Sequence, residues 1–260
     1  MKNKKLFLLD MDGTLYLGDK LFDDTLAFLD KIHEIGGKYD FLTNNSSKST
    51  EKYVQKLEKL GIKSTSNDFF TSTDATIKYI KDNYPNIKFY CMGTRSFISQ
   101  LLNSGIIVTE DVADGIGGII ISNDTEITFK KFDDVCKLLT SNKLIYIATN
   151  PDWTCPTEYG YVPDCGSFAD IIYRSTGKKP FFIGKPKPDM VNLAMTNFGY
   201  SKDETVMIGD RVYTDIASGY NAGIDTILVL SGESTLEDVE ASTIKPTYIY
   251  NSISDIKNII

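Results

Sequence analysis

Short β-prone runs alternate with amphipathic stretches from one end of this 260-residue chain to the other, and that alternation restricts the fold more than any other feature. Apolar runs of the kind that fill a sheet are read as strands at 6–10, 38–43, 87–91, 117–122, 144–149, 181–184, 205–209, 226–230 and 247–250. Between them, residues 24–35, 49–60, 129–140 and 188–198 place apolar side chains at helical spacing. Gly36-Gly37 is a predicted helix stop, and Thr73-Asp74 and Ser201-Lys202-Asp203 are predicted helix starts. Such alternation predicts an α/β fold, a parallel sheet covered by helices on both faces. No internal repeat, low-complexity block or linker marks a domain boundary.

Four of the runs end on polar residues. LFLL is followed by Asp10-Met11-Asp12, DFL by Thr43-Asn44-Asn45, FFIG by Lys185-Pro186 and VMIG by Asp210-Arg211. In open parallel sheets, ligands bind beyond the carboxyl ends of the strands. Crowded carboxylates repel, and a buried one is costly without a positive neighbour. LFLLDMDGTLY therefore implies either an ordinary loop start or a cation that the stretch itself does not supply. Together the four endings provide a carboxylate, a hydroxyl and amide, a cation, and a second carboxylate, the set that a phosphoryl-transfer site with one Mg2+ requires.

In that site Asp10 would be the nucleophile, since a carboxylate needs no separate base. Asp12 has the same side-chain direction if the chain stays extended, and would protonate the leaving oxygen and later take a proton from water. Gly13 permits a sharp turn, and the Thr14 hydroxyl would bond the turn backbone. Asp210 would complete an oxygen-rich Mg2+ site with Asp10 and the Asp12 main-chain carbonyl. Thr43 and the Asn44 backbone would bind phosphoryl oxygens, Lys185 would offset their charge, and Asp215 would orient that corner from behind. Each piece also has an ordinary reading: DxDG as a turn or calcium-like loop, Thr-Asn-Asn and GDRVYTD as helix caps, Lys185 as a solvated loop lysine. Their order at four strand ends argues against coincidence.

Composition narrows the function classes. A hydrophobic share of 42% and a charged share of 24% are those of a globular protein, and a net charge of -7 argues against nucleic acid or an anionic membrane as the main partner. The N-terminal apolar run, Leu6 to Leu9, is shorter than the roughly 7–15 residues of a signal-peptide core. Four dispersed cysteines form no CxxC pair, so neither a zinc site nor a disulfide framework is expected, and a cytoplasmic location is. Neither GxxxxGK[ST] nor GxGxxG is present, which argues against nucleotide-driven chemistry.

DMDGTLY, LTNNSS, GKPKPDM and GDRVYTDI resemble the four motifs of the haloacid dehalogenase (HAD) superfamily. Their order and spacing, with the phrases ATNPDWT and GKPKP, are similar to subfamily IIA, the NagD-like and p-nitrophenylphosphatase group, which includes phosphoglycolate and pyridoxal phosphate phosphatases. The resemblance covers essentially the whole chain. It implies a Rossmann-like doubly wound core, an α/β cap inserted between the second and third motifs, and Mg2+-dependent hydrolysis of phosphomonoesters through an aspartyl-phosphate. Carried across by motif, it implies Asp10 as nucleophile and metal ligand, Asp12 as acid/base with a metal contact, and Thr43, Asn44 and Asn45 at the phosphate. Lys185 becomes the cation and Asp210 a metal ligand. Dehalogenases lack an acid at the position of Asp12, and phosphonate-cleaving members usually carry alanine there, so the DxD form implies phosphate-ester hydrolysis. Arg211 stands where many members carry asparagine, a departure that leaves Asp210 intact. Cap-mediated dimers are common among similar proteins, so the resemblance allows a homodimer through the cap and leaves the oligomeric state open.

About 140 residues separate Asn45 from Lys185, beyond an ordinary connection. With 49–60, 69–70 and 73–81 assigned to the core, the expected core is 1–81 and 178–260 and the expected cap 82–177. A cap would exclude water and supply specificity contacts, chiefly from TNPDWTCPTEYGYVPDCGSFADII. In it Trp153, Tyr159 and Tyr161 would fill the cap core, the commoner fate of such rings, or stack on a substrate ring. Asp152 and Asp164 would read substrate hydroxyls or an amine, or stand in solvated loops. His33, the single histidine, falls in a core helix and is expected to be structural. The expected activity is hydrolysis of small phosphorylated metabolites such as sugar phosphates, nucleoside monophosphates or p-nitrophenyl phosphate. A phosphotransferase would use the same residues, and a non-catalytic phosphate-binding module is disfavoured by Asp12, a group placed to activate water.

Overall fold

The computed structural model describes residues 3–141, 143–157 and 159–260. The chain opens with β1 (Leu6–Leu9), a small hairpin of β2 (Tyr16–Leu17) and β3 (Lys20–Leu21), α1 (Thr25–Glu34), β4 (Lys38–Thr43), α2 (Thr50–Lys59), β5 (Phe69–Thr71) and α3 (Ser72–Asn83). Then come β6 (Lys88–Met92), α4 (Arg95–Asn103), β7 (Ile107–Thr109), β8 (Ile116–Ile121), α5 (Phe129–Ser141), β9 (Ile145–Ala148), a hairpin of β10 (Thr154–Thr157) and β11 (Gly160–Pro163), α6 (Cys165–Thr176) and β12 (Phe181–Phe182). The last segment carries α7 (Asp189–Phe198), β13 (Thr205–Gly209), α8 (Ala217–Ala222), β14 (Asp225–Val229), α9 (Leu236–Ala241), β15 (Tyr248–Tyr250) and α10 (Ile253–Lys257).

These strands build two parallel sheets. One has the order β15-β14-β13-β1-β4-β5 and the other β12-β9-β8-β6-β7. In the first, the chain moves outward from β1 to β5 on one side and returns to fill β13 to β15 on the other. Strand order therefore reverses between β1 and β13, and the crevice beyond their carboxyl ends is where such a sheet binds its ligand.

β1 is buried on both faces because adjacent side chains point opposite ways. Leu6 and Leu8 pack with Met190, Val191 and Ala194 of α7, whereas Phe7 and Leu9 pack with Phe28 and Ile32 of α1 and Ile253 and Ile256 of α10. β6 divides in the same way. Phe89 and Cys91 join the layer that holds Leu6 and Leu8, while Tyr90 and Met92 face Val135 of α5 and Ile172 of α6. The two sheets thus share one continuous apolar layer, which sets them against each other without a flexible linker.

The fold is the expected α/β arrangement with local differences. The run expected at 181–184 is a strand for only two residues, and it pairs with β9 in the second sheet. α3 begins earlier than Thr73-Asp74 because Thr71 is its cap. The Thr71 hydroxyl accepts from Asp74 N at 3.2 Å and the Asp74 carboxylate accepts from Thr71 N at 2.9 Å, a reciprocal box. Ser201-Lys202-Asp203 starts no helix; Ser201 N and Oγ donate to the Glu204 carboxylate, closing a turn into β13. His33 lies on the exposed side of α1 with its ring 5.0 Å from that of Tyr39. No helix among the described residues is long and apolar enough to cross a membrane.

Candidate active site

The sheet delivers the polar endings to one place. Asp10 N donates to Ile208 O at 2.9 Å, so the β1–β13 ladder continues one bond past β1 and fixes where the Asp10 side chain leaves the sheet. Asp210 follows β13 directly and Thr43 is the last residue of β4. Lys185 arrives from the other sheet, where Ile183 N and Gly184 N run on beside β9 to Ala148 O and Thr149 O. Gly184 lets the Asn44 side chain lie against the backbone there, where a Cβ would collide with it.

Lys185 is 2% exposed and every proton of its ammonium is used. Nζ donates to Asp10 Oδ1 at 2.6 Å, to Asp215 Oδ1 at 2.6 Å and to Leu42 O at 2.8 Å. Burial works against the charge on Lys185, but Asp10 and Asp215 outweigh it and hold the group above its usual range. The solvated-loop reading of this lysine is therefore wrong. Asp215 is brought round by a wide turn over Val212–Ile216, in which both Asp215 N and Ile216 N donate to Arg211 O, and its other oxygen accepts from Arg211 N at 3.1 Å.

Carboxylate oxygens of Asp10, Asp210 and Asp215 lie within 4.8 Å of one another. Burial, then the neighbouring Asp215, push Asp10 up to about 7 against the pull of Lys185. Burial and the Asp10 charge raise Asp210 as well. Asp210 receives Glu233 N at 2.7 Å, and the Thr14 hydroxyl stands 3.5 Å from its other oxygen instead of bonding the turn backbone. Gly13, at φ +91°, closes the wall, since a Cβ there would stand 2.5 Å from an Asp210 oxygen.

Asp12 stands apart from this cluster. Its oxygens lie 3.5 Å from the Tyr16 hydroxyl and 3.5 Å from Lys56 Nζ, and that ammonium also sits 4.0 Å above the Tyr16 ring. Thr43 Oγ1 accepts Asn45 N at 3.1 Å, and the Asn45 side-chain Oδ1 accepts Ser47 N and Oγ. The Asn44 side chain is a clamp: its oxygen accepts Lys185 N at 2.8 Å, and its nitrogen donates to Lys185 O at 3.0 Å and to Asp152 at 3.1 Å. Asp10, Asp12, Thr43, Asn45, Lys185 and Asp215 all line one narrow cavity of about 30 Å³.

The segment that follows β9 contributes further groups to the cavity. Asp152 is buried and faces Arg211 Nη1 at 3.5 Å, while Arg211 Nη2 donates to Thr154 O at 3.5 Å and its Nε lies 2.9 Å from Glu233. Arg211, the departure from asparagine, thereby ties the β13 loop to the base of the β10–β11 hairpin. Burial raises Asp152 to about 7, with Asp164 adding to the rise and Arg211 opposing it. Asp164 is not solvated: it is buried at the cavity wall, caps α6 through Cys165 N and accepts Asn123 Nδ2 at 3.0 Å. Trp153, Tyr159 and Tyr161 do not fill a core, being 56%, 83% and 57% exposed, and they lie just before and within a separate two-stranded sheet of β10 and β11. Cys155 reaches the cavity from the same hairpin, and burial keeps its thiol protonated, raised to about 12.

A doubly wound sheet with clustered carboxylates and one buried ammonium at its switch point fits the class of α/β phosphoryl-transfer hydrolases. A profile described as Haloacid dehalogenase-like hydrolase matches residues 7–107, and a HAD-hydrolase-like profile matches 182–256. An acid sugar phosphatase of Staphylococcus aureus (strain MRSA252) is 35% identical over 255 residues, covering 98% of this chain and 97% of that one. The 4-nitrophenylphosphatase of Thermotoga maritima superposes with a TM-score of 0.91 at 36% identity, over 99% of this chain and 97% of that one. NagD from E. coli K-12 does so with a TM-score of 0.86 at 28% identity, over 97% and 98%. The chain belongs to the HAD superfamily, in the NagD-like group of subfamily IIA, and is a phosphoric monoester hydrolase.

Proposed function

We propose that this chain is a Mg2+-dependent phosphatase of small phosphomonoesters, sugar phosphates foremost, working in the cytoplasm through an aspartyl-phosphate on Asp10. The observation that carries the reading is the Asp10 carboxylate at the end of β1, with one oxygen held by Lys185 at 2.6 Å and Asp210 and Asp215 alongside. The sugar phosphate preference is carried over from the acid sugar phosphatase relatives. The free thiols of Cys91, Cys136, Cys155 and Cys165 fit a reducing compartment.

The donor set suits a hard divalent cation. Three carboxylates face one ammonium, so negative charge is in surplus, and every ligand atom is oxygen. Asp10 and Asp210 would hold the ion, with the Asp12 carbonyl as a further ligand and Asp215 bracing Lys185. Bound there, Mg2+ would neutralise charge on the phosphoryl oxygens and help to orient them.

The protein's own groups account for the rest. Lys185 fixes one Asp10 oxygen and leaves the other to attack phosphorus as the ester P–O bond breaks. Asp12, steadied by Tyr16 and Lys56, gives its proton to the departing alkoxide. Water then attacks the phosphorus, Asp12 takes its proton, and the P–O bond to Asp10 breaks to release inorganic phosphate. Residues 82–177, with β12 added, act as the cap, and the β10–β11 hairpin closes over the reacting atoms and keeps bulk water out. Asp10→Asn is expected to abolish Mg2+-dependent phosphate release from p-nitrophenyl phosphate while the thermal melt stays that of a folded protein. Appreciable turnover in that variant would refute the covalent route.

A further inference from the structure

The narrow cavity at Asp10 opens, past Asp12, Asn45, Cys155 and Pro156, into a groove of about 720 Å³. One wall of the groove is a stripe of ammonium groups. Lys52, Lys56 and Lys59 are spaced by four and three residues, so they rise along one face of α2, Lys48 precedes its N-terminus, and all four line the groove. The facing wall is Pro156 and Tyr159 of the β10–β11 hairpin. Like charges at this spacing repel by a few tenths of a kcal/mol per pair. Lys56 is committed to Asp12, but among the described residues no carboxylate forms an ion pair with Lys48, Lys52 or Lys59. A chain with a net charge of -7 thus keeps a positive stripe at the mouth of its reaction site.

From this we infer that the alcohol portion of the substrate carries a second phosphate, bound by Lys52 and Lys59. The inference rests on the phosphatase reading above. Asp12, the group beside the leaving oxygen, is shared by cavity and groove, so the alcohol portion departs along the stripe. Lys52 and Lys59 flank Lys56, about 6 Å before it and about 4.5 Å after it along the helix axis. Both lysines line the groove and not the cavity, so an anion bound to them is a second group on the alcohol portion and not the reacting phosphate. Several uncommitted ammonium groups also match a dianion better than a single charge.

The test compares kcat/KM for a hexose bisphosphate, the corresponding hexose monophosphate and a phosphorylated two-carbon acid, in the parent and in Lys52→Gln/Lys59→Gln. Both lysines are exposed, so the double variant folds, which its melting curve checks. The parent is expected to prefer the bisphosphate, and the bisphosphate-to-monophosphate ratio to fall about tenfold in the double variant, through KM. Equal kcat/KM for bisphosphate and monophosphate in the parent overturns the inference, as does a preference for the two-carbon acid or a ratio that survives both substitutions. Calorimetric binding of the bisphosphate to the Asp10→Asn protein separates the two readings. Tighter binding than the monophosphate there, weakened by salt, upholds the groove even if the covalent route fails. Equal binding rejects the groove even if Asp10 is the nucleophile.

Discussion

Replacing Lys185 by methionine keeps an unbranched side chain one heavy atom shorter and removes the charge with its three protons. In the parent those protons meet Asp10 and Asp215 at 2.6 Å each and Leu42 O at 2.8 Å, at a residue 2% exposed. Breaking a buried ion pair from one side costs about 3–5 kcal/mol, and a carbonyl left without its donor about 1 kcal/mol more, so a loss of about 4 kcal/mol is expected after relaxation. The loss depends on pH with a definite sign. Asp10 is already pushed up to about 7 by burial and Asp215, against Lys185, and without Lys185 it rises further. A carboxyl raised in the folded state binds its proton there and not in the unfolded chain, so its contribution is present at low pH and is lost as pH climbs through the folded value. In urea melts with chelator present, the deficit of Lys185→Met should therefore be larger at about pH 8.5 than at about pH 5.5, where Asp10 is protonated in both proteins. A deficit below about 1 kcal/mol, or one equal at both pH values, would refute the account of Lys185 as the counter-charge of the cluster.

Two further outcomes follow from groups elsewhere. Asp40 of β4 is buried with one oxygen lacking a partner, and burial, with Asp68 and Asp74 adding, pushes it up to about 8 from 3.8. Parent stability should then fall as pH rises from about 4 to about 8, and Asp40→Asn should flatten that fall; parallel melting profiles would contradict it. Gly13→Ala forces a Cβ to 2.5 Å from the Asp210 carboxylate at φ +91°, which should cost about 1–3 kcal/mol in denaturant melts and raise the Mg2+ concentration needed for half-maximal rate.

What the sequence discloses and what it hides divide along the range of the interactions. LFLL, TVMIG and the IGGIII run of β8 are buried along most or all of their length, so continuous apolarity alone marks them as interior parallel strands to within a residue or so. Asp10, Thr43 and Asp210 are legible because a strand end fixes where a side chain emerges. The β10–β11 hairpin is not, since Thr154–Thr157 contains cysteine and proline with no alternating apolar face, and it is held by pairing rather than by burial. α6 was hidden for a related reason, its cap Asp164 lying in the same polar stretch as that hairpin. The contacts of Lys56 with Asp12 and of Arg211 with Asp152 join residues far apart in the chain, and no local pattern announces either.

The central claim is that the phosphoryl group passes through Asp10. Mixing excess protein with a sugar phosphate and Mg2+, quenching in acid within the first turnover and sequencing the peptides by mass tests it directly. The peptide containing LFLLDMDGTLY should gain the mass of one phosphoryl group, localised to Asp10 and absent from the Asp10→Asn protein. Rapid turnover with no phosphorylated peptide at any quench time, or with the group on another residue, would contradict the account.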